Sequence, residues 1–247
     1  MNATELQLNY EVSAETGQGG IPVIIAAAGA SSRMGGFNKQ FLSLLGVTVL
    51  ARTLLAFQRS EDISRIIVAA REEDINAIQL LAEQYMIHKL TDVVQGGENR
   101  QQSVVNALKR LGGDEKELLI HDGARPFVSG EIIHSVVCAL KEHKAVTCGV
   151  KLKDTIKRVG ENDLVKETLD RKELIAVQTP QGVNADAYKQ AVLIMGNNTE
   201  AFTDDMSVME AAGHKVFVVP GSYRNIKITT PEDIAVAIGF LTQGDGE

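Results

Sequence analysis

The chain has 247 residues, 44% of them hydrophobic and 23% charged, the balance of a globular fold large enough to bury a substantial core without disulfide or metal staples. Its 25 Lys and Arg against 32 Asp and Glu, the absence of Trp and an aromatic content of 4% argue against a general nucleic-acid surface, which needs clustered basic charge and stacking rings. No stretch approaches the roughly 18 apolar residues of a membrane span.

Residues 1–20 are polar and acidic, lack periodicity and end in Gln18-Gly19-Gly20. They read as a mobile extension with no role in the chemistry, and their composition is wrong for a secretory signal. Cys138 and Cys148 both lie among apolar residues and read as reduced core thiols of a cytoplasmic protein. Ile21-Pro22-Val23-Ile24-Ile25 has the β-branched density of a buried parallel strand. Val49, Leu50, Thr53, Leu54 and Phe57 then recur at helical spacing, followed by a strand at Ile66-Ile67-Val68. Ile75, Ile78, Ala82 and Tyr85 mark a second helix, and Val93-Val94 a short strand. Val104, Ala107, Leu108 and Leu111 mark a third helix ending at Gly112-Gly113; Leu118-Leu119-Ile120 is a strand, and residues 132–140 form a fourth helix. This alternation predicts a Rossmann-like, doubly wound α/β fold with a mostly parallel sheet and helices on both faces.

Residues 150–170 break the rhythm with two polar, alternating runs around Gly160-Glu161-Asn162-Asp163, a hairpin with too little apolar surface for the core. It reads equally as a solvated excursion or as an arm reaching another subunit, because an isolated two-stranded hairpin is barely stable in water. The core resumes with a strand at 174–177, helices at 184–195 and 204–212, a strand at 216–219 and an extended stretch at 225–228. Thr230-Pro231-Glu232-Asp233 opens the last helix with a capping Thr, Pro in the first turn and early acids. The span 21–242 reads as one domain.

The first strand delivers Ala26-Ala27-Ala28-Gly29-Ala30-Ser31-Ser32-Arg33-Met34-Gly35, with Lys39 shortly beyond. Small residues past the carboxyl end of a parallel strand let backbone N–H groups approach a phosphate chain, and Arg33 and Lys39 add positive charge. Neither G-x-G-x-x-G nor G-x-x-x-x-G-K-[ST] occurs, so a nicotinamide dehydrogenase lacks its fingerprint.

Further blocks follow in order: Gly96-Gly97-Glu98-Asn99-Arg100-Gln101-Gln102-Ser103, His121-Asp122-Gly123-Ala124-Arg125-Pro126, Lys153-Asp154-Thr155-Ile156-Lys157, Asp170-Arg171, Gln178-Thr179-Pro180-Gln181, Thr203-Asp204-Asp205 and Asn225-Ile226-Lys227-Ile228-Thr229. Together they resemble the 2-C-methyl-D-erythritol 4-phosphate cytidylyltransferases of the non-mevalonate isoprenoid pathway, across about residues 21–242. The resemblance implies a nucleotide-diphospho-sugar transferase type of fold and transfer of a cytidylyl group from CTP to methylerythritol phosphate with release of pyrophosphate. It implies transition-state stabilisation by Arg33 and Lys39, and CTP binding by Ala27, Ala28, Gly29, Gly97, Glu98 and Ser103. Asp122 would meet the ribose, a substrate hydroxyl or Mg²⁺, three roles that residue type does not separate; magnesium would otherwise be held mainly by phosphates. Arg171 and Lys227 would grip the polyol phosphate, Thr155, Thr179 and Thr203 would donate hydroxyls, and Arg125 would either join them or pair with Asp122. The hairpin would cross to a neighbouring subunit, making a homodimer with composite sites. The chain departs from the family's usual pattern at Ala26 and Asn38, where Pro is common, and at Val183, where an aromatic residue is common. A ribitol 5-phosphate cytidylyltransferase would share the CTP residues. An inactive nucleotide-binding regulator on the same fold would have no use for Arg33, Lys39, Asp122, Arg171 and Lys227 together.

Overall fold

Val23, Ile24 and Ile25 are fully buried in β1 (Ile21–Ala26), because this strand runs through the middle of a sheet covered on both faces. The computed structural model describes residues 19–29, 38–196 and 202–243. The N-terminal extension up to residue 18 and Arg33 lie outside the described residues. Among the described residues, one seven-stranded sheet has the order β11-β7-β10-β6-β1-β4-β5, from β4 (Ile63–Ala70), β5 (Leu90–Gln95), β6 (Glu117–Asp122), β7 (Ala145–Lys151), β10 (Ile175–Asn184) and β11 (Phe217–Pro220) beside β1, while β2 (Ser43–Leu44) and β3 (Val47–Thr48) pair in a small separate ribbon.

Alternation along each strand sorts the core into two layers. Val23 and Ile25 face one side with Leu50, Leu54 and Phe57 of α1 (Val49–Arg59), Ile78 of α2 (Ile75–Gln84), and Ile133 and Val136 of α4 (Gly130–Leu140). Ile24 faces the other side with Val104 of α3 (Arg100–Leu108), Tyr188 of α5 (Ala185–Met195) and Met209 of α6 (Asp205–Ala211). Each fully buried Leu, Ile or Phe contributes about 1.5–3 kcal/mol, so these two layers carry the hydrophobic part of the stability. Helix starts follow local chemistry. Thr48 accepts the Ala51 N–H at 3.3 Å, and Thr230 with Asp233 forms a capping box at α7 (Pro231–Thr242).

The sheet is parallel except for β10, which runs antiparallel to both β6 and β7. The reason is the hairpin. After β7 the chain goes out through β8 (Lys157–Val159) and returns through β9 (Val165–Thr168), so β10 re-enters against its own outgoing strand, with Ile175 opposite Lys151. The arm pairs only with itself and is exposed throughout, with Val159, Leu164 and Val165 each more than half accessible. Asn162 and Asp163 both turn at φ 57°, the left-handed region that such short polar residues tolerate.

Some expectations are corrected. The third helix ends at Leu108, before Leu111 and the glycine pair. Residues 225–228, read only as an extended stretch, pass beside the sheet and are held by the Ile228 N–H donating to the Ala124 carbonyl at 2.8 Å. Cys148 is a core thiol, but Cys138 is half-buried on α4, its sulfur 3.3 Å from His134 Nε2, which in turn faces Asp62. At the departure after Gln181, Val183 is fully buried in the α5 layer, while a Cβ on Gly182 would come within 2.8 Å of both Leu140 and Val136. Here β10 lies against α4 without room for a side chain.

Burial pushes the Cys148 thiol up to about 12, so its nucleophilic thiolate is scarce at neutral pH. In the native protein at about pH 8, a disulfide reagent should label Cys138 alone, and both cysteines should react only after unfolding. Rapid labelling of two thiols in the folded chain would contradict the burial of Cys148.

Candidate functional site

The carboxyl ends of β1, β4 and β6 meet at one edge, where Ala27, Ala28 and Gly29 leave the sheet. The Ala27 N–H donates to the Ala69 carbonyl and the Gly123 N–H to the Ala26 carbonyl, so the loops after β1 and β6 start side by side. Gly96 closes against them: a Cβ there would lie 2.4 Å from that of Ala28. Only glycine lets the two loops approach this closely. Gly97 and Ser103 are fastened together, the Gly97 N–H donating to Ser103 Oγ at 3.0 Å and that hydroxyl donating to the Asn99 carbonyl at 2.8 Å. Asn99 caps α3 by accepting the Gln102 N–H at 2.9 Å, and Glu98 is exposed at the loop tip.

Lys39 is half-buried in a short 3-10 turn, Lys39–Phe41. Its neighbour Gln40 is buried over Gly123, where a Cβ would lie 2.9 Å from Gln40 Oε1 and 3.2 Å from the Ala27 Cβ, so the turn adjoins this edge. Asn38, which stands where the family commonly has Pro, fixes the turn by hydrogen bonding: its Oδ1 accepts the Gln40 N–H and its Nδ2 donates to Asp74 at 2.7 Å.

Asp122, the last residue of β6, is the electrostatic centre. One oxygen takes Arg100 Nε at 2.9 Å; the other takes Lys227 Nζ at 2.9 Å and faces Arg125 Nε at 3.4 Å. Burial alone would raise this carboxyl, but Arg100, Lys227 and Arg125 outweigh it and hold the group well below the usual carboxylate range. Arg125 also donates to the Asn225 carbonyl at 2.8 Å, so its pairing within the chain is realised. Arg100 reaches on to Asp205 at 2.8 Å, and the fully buried Asp205 accepts the Tyr188 hydroxyl at 2.6 Å. A cleft of about 540 Å³ opens beside this network, lined by Asp122, Arg125, Thr179, Thr203 and Lys227 among others.

Five of the residues read as substrate contacts therefore converge on one cleft. Thr155 and Arg171 do not: both are exposed on the arm, where Arg171 donates to the Lys153 carbonyl. Thr179 lines the cleft, yet its hydroxyl is already engaged, accepting the Asp122 N–H at 3.2 Å and lying 2.9 Å from His121 Nδ1. The fully buried His121 faces the Arg125 carbonyl with Nε2 at 3.2 Å. A carbonyl can only accept, so Nε2 carries the proton and Thr179 donates to Nδ1. Burial drives the His121 imidazole down to about 3, leaving it a neutral strut at neutral pH.

Arg100, Asp205, Tyr188 and His121 were not singled out as site residues in the sequence. For Arg100 a signal exists. A cation at the first residue of a helix opposes the helix dipole, so it needs a carboxylate supplied from elsewhere. In this chain cations face both oxygens of Asp122, and among the described residues no group of three His, Cys, Asp or Glu side chains could hold a metal ion.

His121 is protonated in the unfolded chain below about pH 6.5, while the folded chain resists protonation down to about 3. Stability should consequently fall as pH drops through that window, because the unfolded state binds the extra proton. Nitrogen NMR should report a neutral His121 with the proton on Nε2 throughout pH ~5–8. A ring that titrates near 6.5 would refute the strut.

The model of the family described as 2-C-methyl-D-erythritol 4-phosphate cytidylyltransferase matches residues 21–243. Proteins of that name from Bacillus mycoides and Halalkalibacterium halodurans are 44% and 47% identical over 220 and 223 residues, covering 89% and 90% of this chain and 96% of each relative. The crystal structure of 4-diphosphocytidyl-2C-methyl-D-erythritol synthase from Anaerococcus prevotii aligns with a TM-score of 0.81 at 33% identity, covering 91% of this chain and 96% of that one. The Thermus thermophilus 2-C-methyl-D-erythritol 4-phosphate cytidylyltransferase aligns at 0.73 with 28% identity, covering 89% and 98%. By this match over nearly all of its length, the chain belongs to the 2-C-methyl-D-erythritol 4-phosphate cytidylyltransferase family.

Proposed function

We propose that this protein transfers the cytidylyl group of CTP to 2-C-methyl-D-erythritol 4-phosphate, forming 4-diphosphocytidyl-2-C-methyl-D-erythritol and pyrophosphate. The observation that carries the reading is Asp122. It ends the strand beside the small-residue loop after β1, and it holds Lys227 at the wall of a cleft large enough for a polyol phosphate. An oxygen of the acceptor phosphate attacks the α-phosphorus of CTP in line, and the bond from that phosphorus to the pyrophosphate oxygen breaks. Such a step needs alignment and charge neutralisation rather than a protein nucleophile.

Backbone at Ala27, Ala28 and Gly29 and the loop at Gly97 and Glu98 receive the nucleotide. Ser103 serves there by holding the loop, as its own proton is given to Asn99. Arg33 and Lys39 neutralise charge at the α-phosphate. Lys227 and Thr203 meet the acceptor, while Thr179 acts through its grip on Asp122 and His121. Magnesium would accompany the triphosphate as its counter-ion and offset part of its negative charge. Family membership favours methylerythritol phosphate over ribitol 5-phosphate.

The arm supports a homodimer. Among the described residues of one chain, the cleft's Arg100, Arg125 and Lys227 are matched one for one by Asp122, Asp204 and Glu210, which leaves no positive excess for a phosphate dianion. Arg171 and Thr155 of a second copy supply what is missing, and Val159, Leu164 and Val165 gain cover. No helix among the described residues is long and apolar enough to cross a membrane. The two thiols, neither in a disulfide, suit the reducing cytoplasm.

With CTP and Mg²⁺, purified protein should release pyrophosphate on adding methylerythritol phosphate and not ribitol 5-phosphate; the reverse pattern would overturn the acceptor. Lys39→Ala should lower kcat by about 10²–10³-fold with CTP still bound. Near-normal turnover would remove Lys39 from the chemistry. Arg171→Ala and Lys227→Ala should each be nearly inactive, yet mixing them should restore about a quarter of the activity, since each mixed dimer rebuilds one intact composite site. No recovery after subunit exchange would place Arg171 outside the partner's cleft.

A further inference from the structure

We propose, resting on the cytidylyl-transfer reading above, that Arg100 is a positioning residue for the acceptor phosphate: clamped to Asp205, it occupies one oxygen of Asp122 so that Lys227 can pass from Asp122 to the incoming phosphate.

The geometry is that of a fork held from behind. Arg100 Nε meets Asp122 at 2.9 Å, one terminal nitrogen meets Asp205 at 2.8 Å, and the other donates to Gln101 Oε1 at 3.0 Å. Asp205 is immobilised in turn by the Tyr188 hydroxyl at 2.6 Å and by its own N–H donating to Gln181 Oε1 at 3.0 Å. A planar guanidinium can span two carboxylates on different elements, whereas an ammonium offers one point of charge. Burial would weaken the charge on Arg100, but the two carboxylates outweigh it and keep the group protonated.

The three cations around Asp122 are not equivalent. Arg100 is held by Asp205, and Arg125 is held by the Asn225 carbonyl with a side chain only 12% exposed. Lys227 is 37% exposed on a flexible stem, which makes it the cation that can move. When it turns to a phosphate, Asp122 remains satisfied by the two guanidinium groups. Without Arg100, Asp122 would retain Lys227 more tightly and present an uncompensated negative charge to the phosphate. Both effects weaken acceptor binding although Arg100 never touches the acceptor. The nucleotide loop does not depend on this fork, because the Asn99 cap and the Gly97–Ser103 bond fix it separately.

The test uses the full chain in two forms. Arg100→Gln combined with Asp205→Asn removes both charges and leaves no lone buried ion, while Arg100→Lys keeps the charge without the span. Pyrophosphate release is measured against methylerythritol phosphate at saturating CTP, with CTP binding by calorimetry and thermal melting alongside. The acceptor KM should rise about tenfold or more in the double variant, with CTP affinity kept within about twofold and kcat lowered less than KM is raised. Arg100→Lys should recover only part of that loss, and it carries the same test should the double variant not fold. An acceptor KM within about twofold of the parent overturns the inference, as does an equal loss of CTP affinity, which is the mark of a structural residue. A parent protein that releases no pyrophosphate overturns the function itself and this inference with it.

Discussion

A buried carboxylate surrounded by three cations holds this molecule's functional edge together. Removing Asp122 from water is costly, and it remains ionised only because Arg100 comes from the start of α3, Arg125 from the loop after β6 and Lys227 from the segment before α7. Each partner therefore ties a different part of the chain to the end of β6. The arrangement is a constraint before it is a site. The loop after β1, the loop before α3 and the return segment at 225–229 come together because they bring, or lie beside, a charge that Asp122 requires. Breaking a buried cluster of this kind leaves an uncompensated ion and costs about 3–5 kcal/mol, so site and local stability depend on the same contacts.

The reversed strand β10 makes the second constraint. An otherwise parallel sheet would present only strand ends to the cleft. Because the arm sends the chain back, β10 crosses the functional edge with its middle, and Gln178, Thr179 and Gln181 become wall residues. From there Gln181 reaches both Asp204 at 2.7 Å and the backbone of Asp205 at 3.0 Å, joining the start of α6 to the sheet. The exposed arm and the ordered cleft wall are thus two consequences of one change in chain direction.

Much of the fold was legible in residue pattern. Val23-Ile24-Ile25, Ile66-Ile67-Val68 and Leu118-Leu119-Ile120 are continuous apolar runs because both sides of their sheet are covered, and the helical stripes between them face those same strands. The antiparallel sense of β10 was not legible, since Leu174-Ile175-Ala176-Val177 has the same composition whichever way it runs. At the site, the small residues after β1 were legible because their lack of side chains has no local explanation, and Asp122 and Lys227 were legible through the family resemblance; Arg171, read the same way, lies on the exposed arm outside the cleft of its own chain. Thr179 and Ser103 were legible as polar groups near the site, but the direction of their hydroxyl protons was not, because that depends on His121 Nδ1 and the Asn99 carbonyl.

By itself, the sequence determined the alternation of strands and helices, the position of the arm and the family, because periodicity, turn residues and motif order are local along the chain. Tertiary structure alone decided which charges meet. Arg100 and Asp205 are 105 residues apart, and nothing near either one reveals that they share a buried ion pair at 2.8 Å. Coulomb attraction and desolvation depend on distances through space, which exist only once the sheet has brought α3, β6 and α6 to one edge.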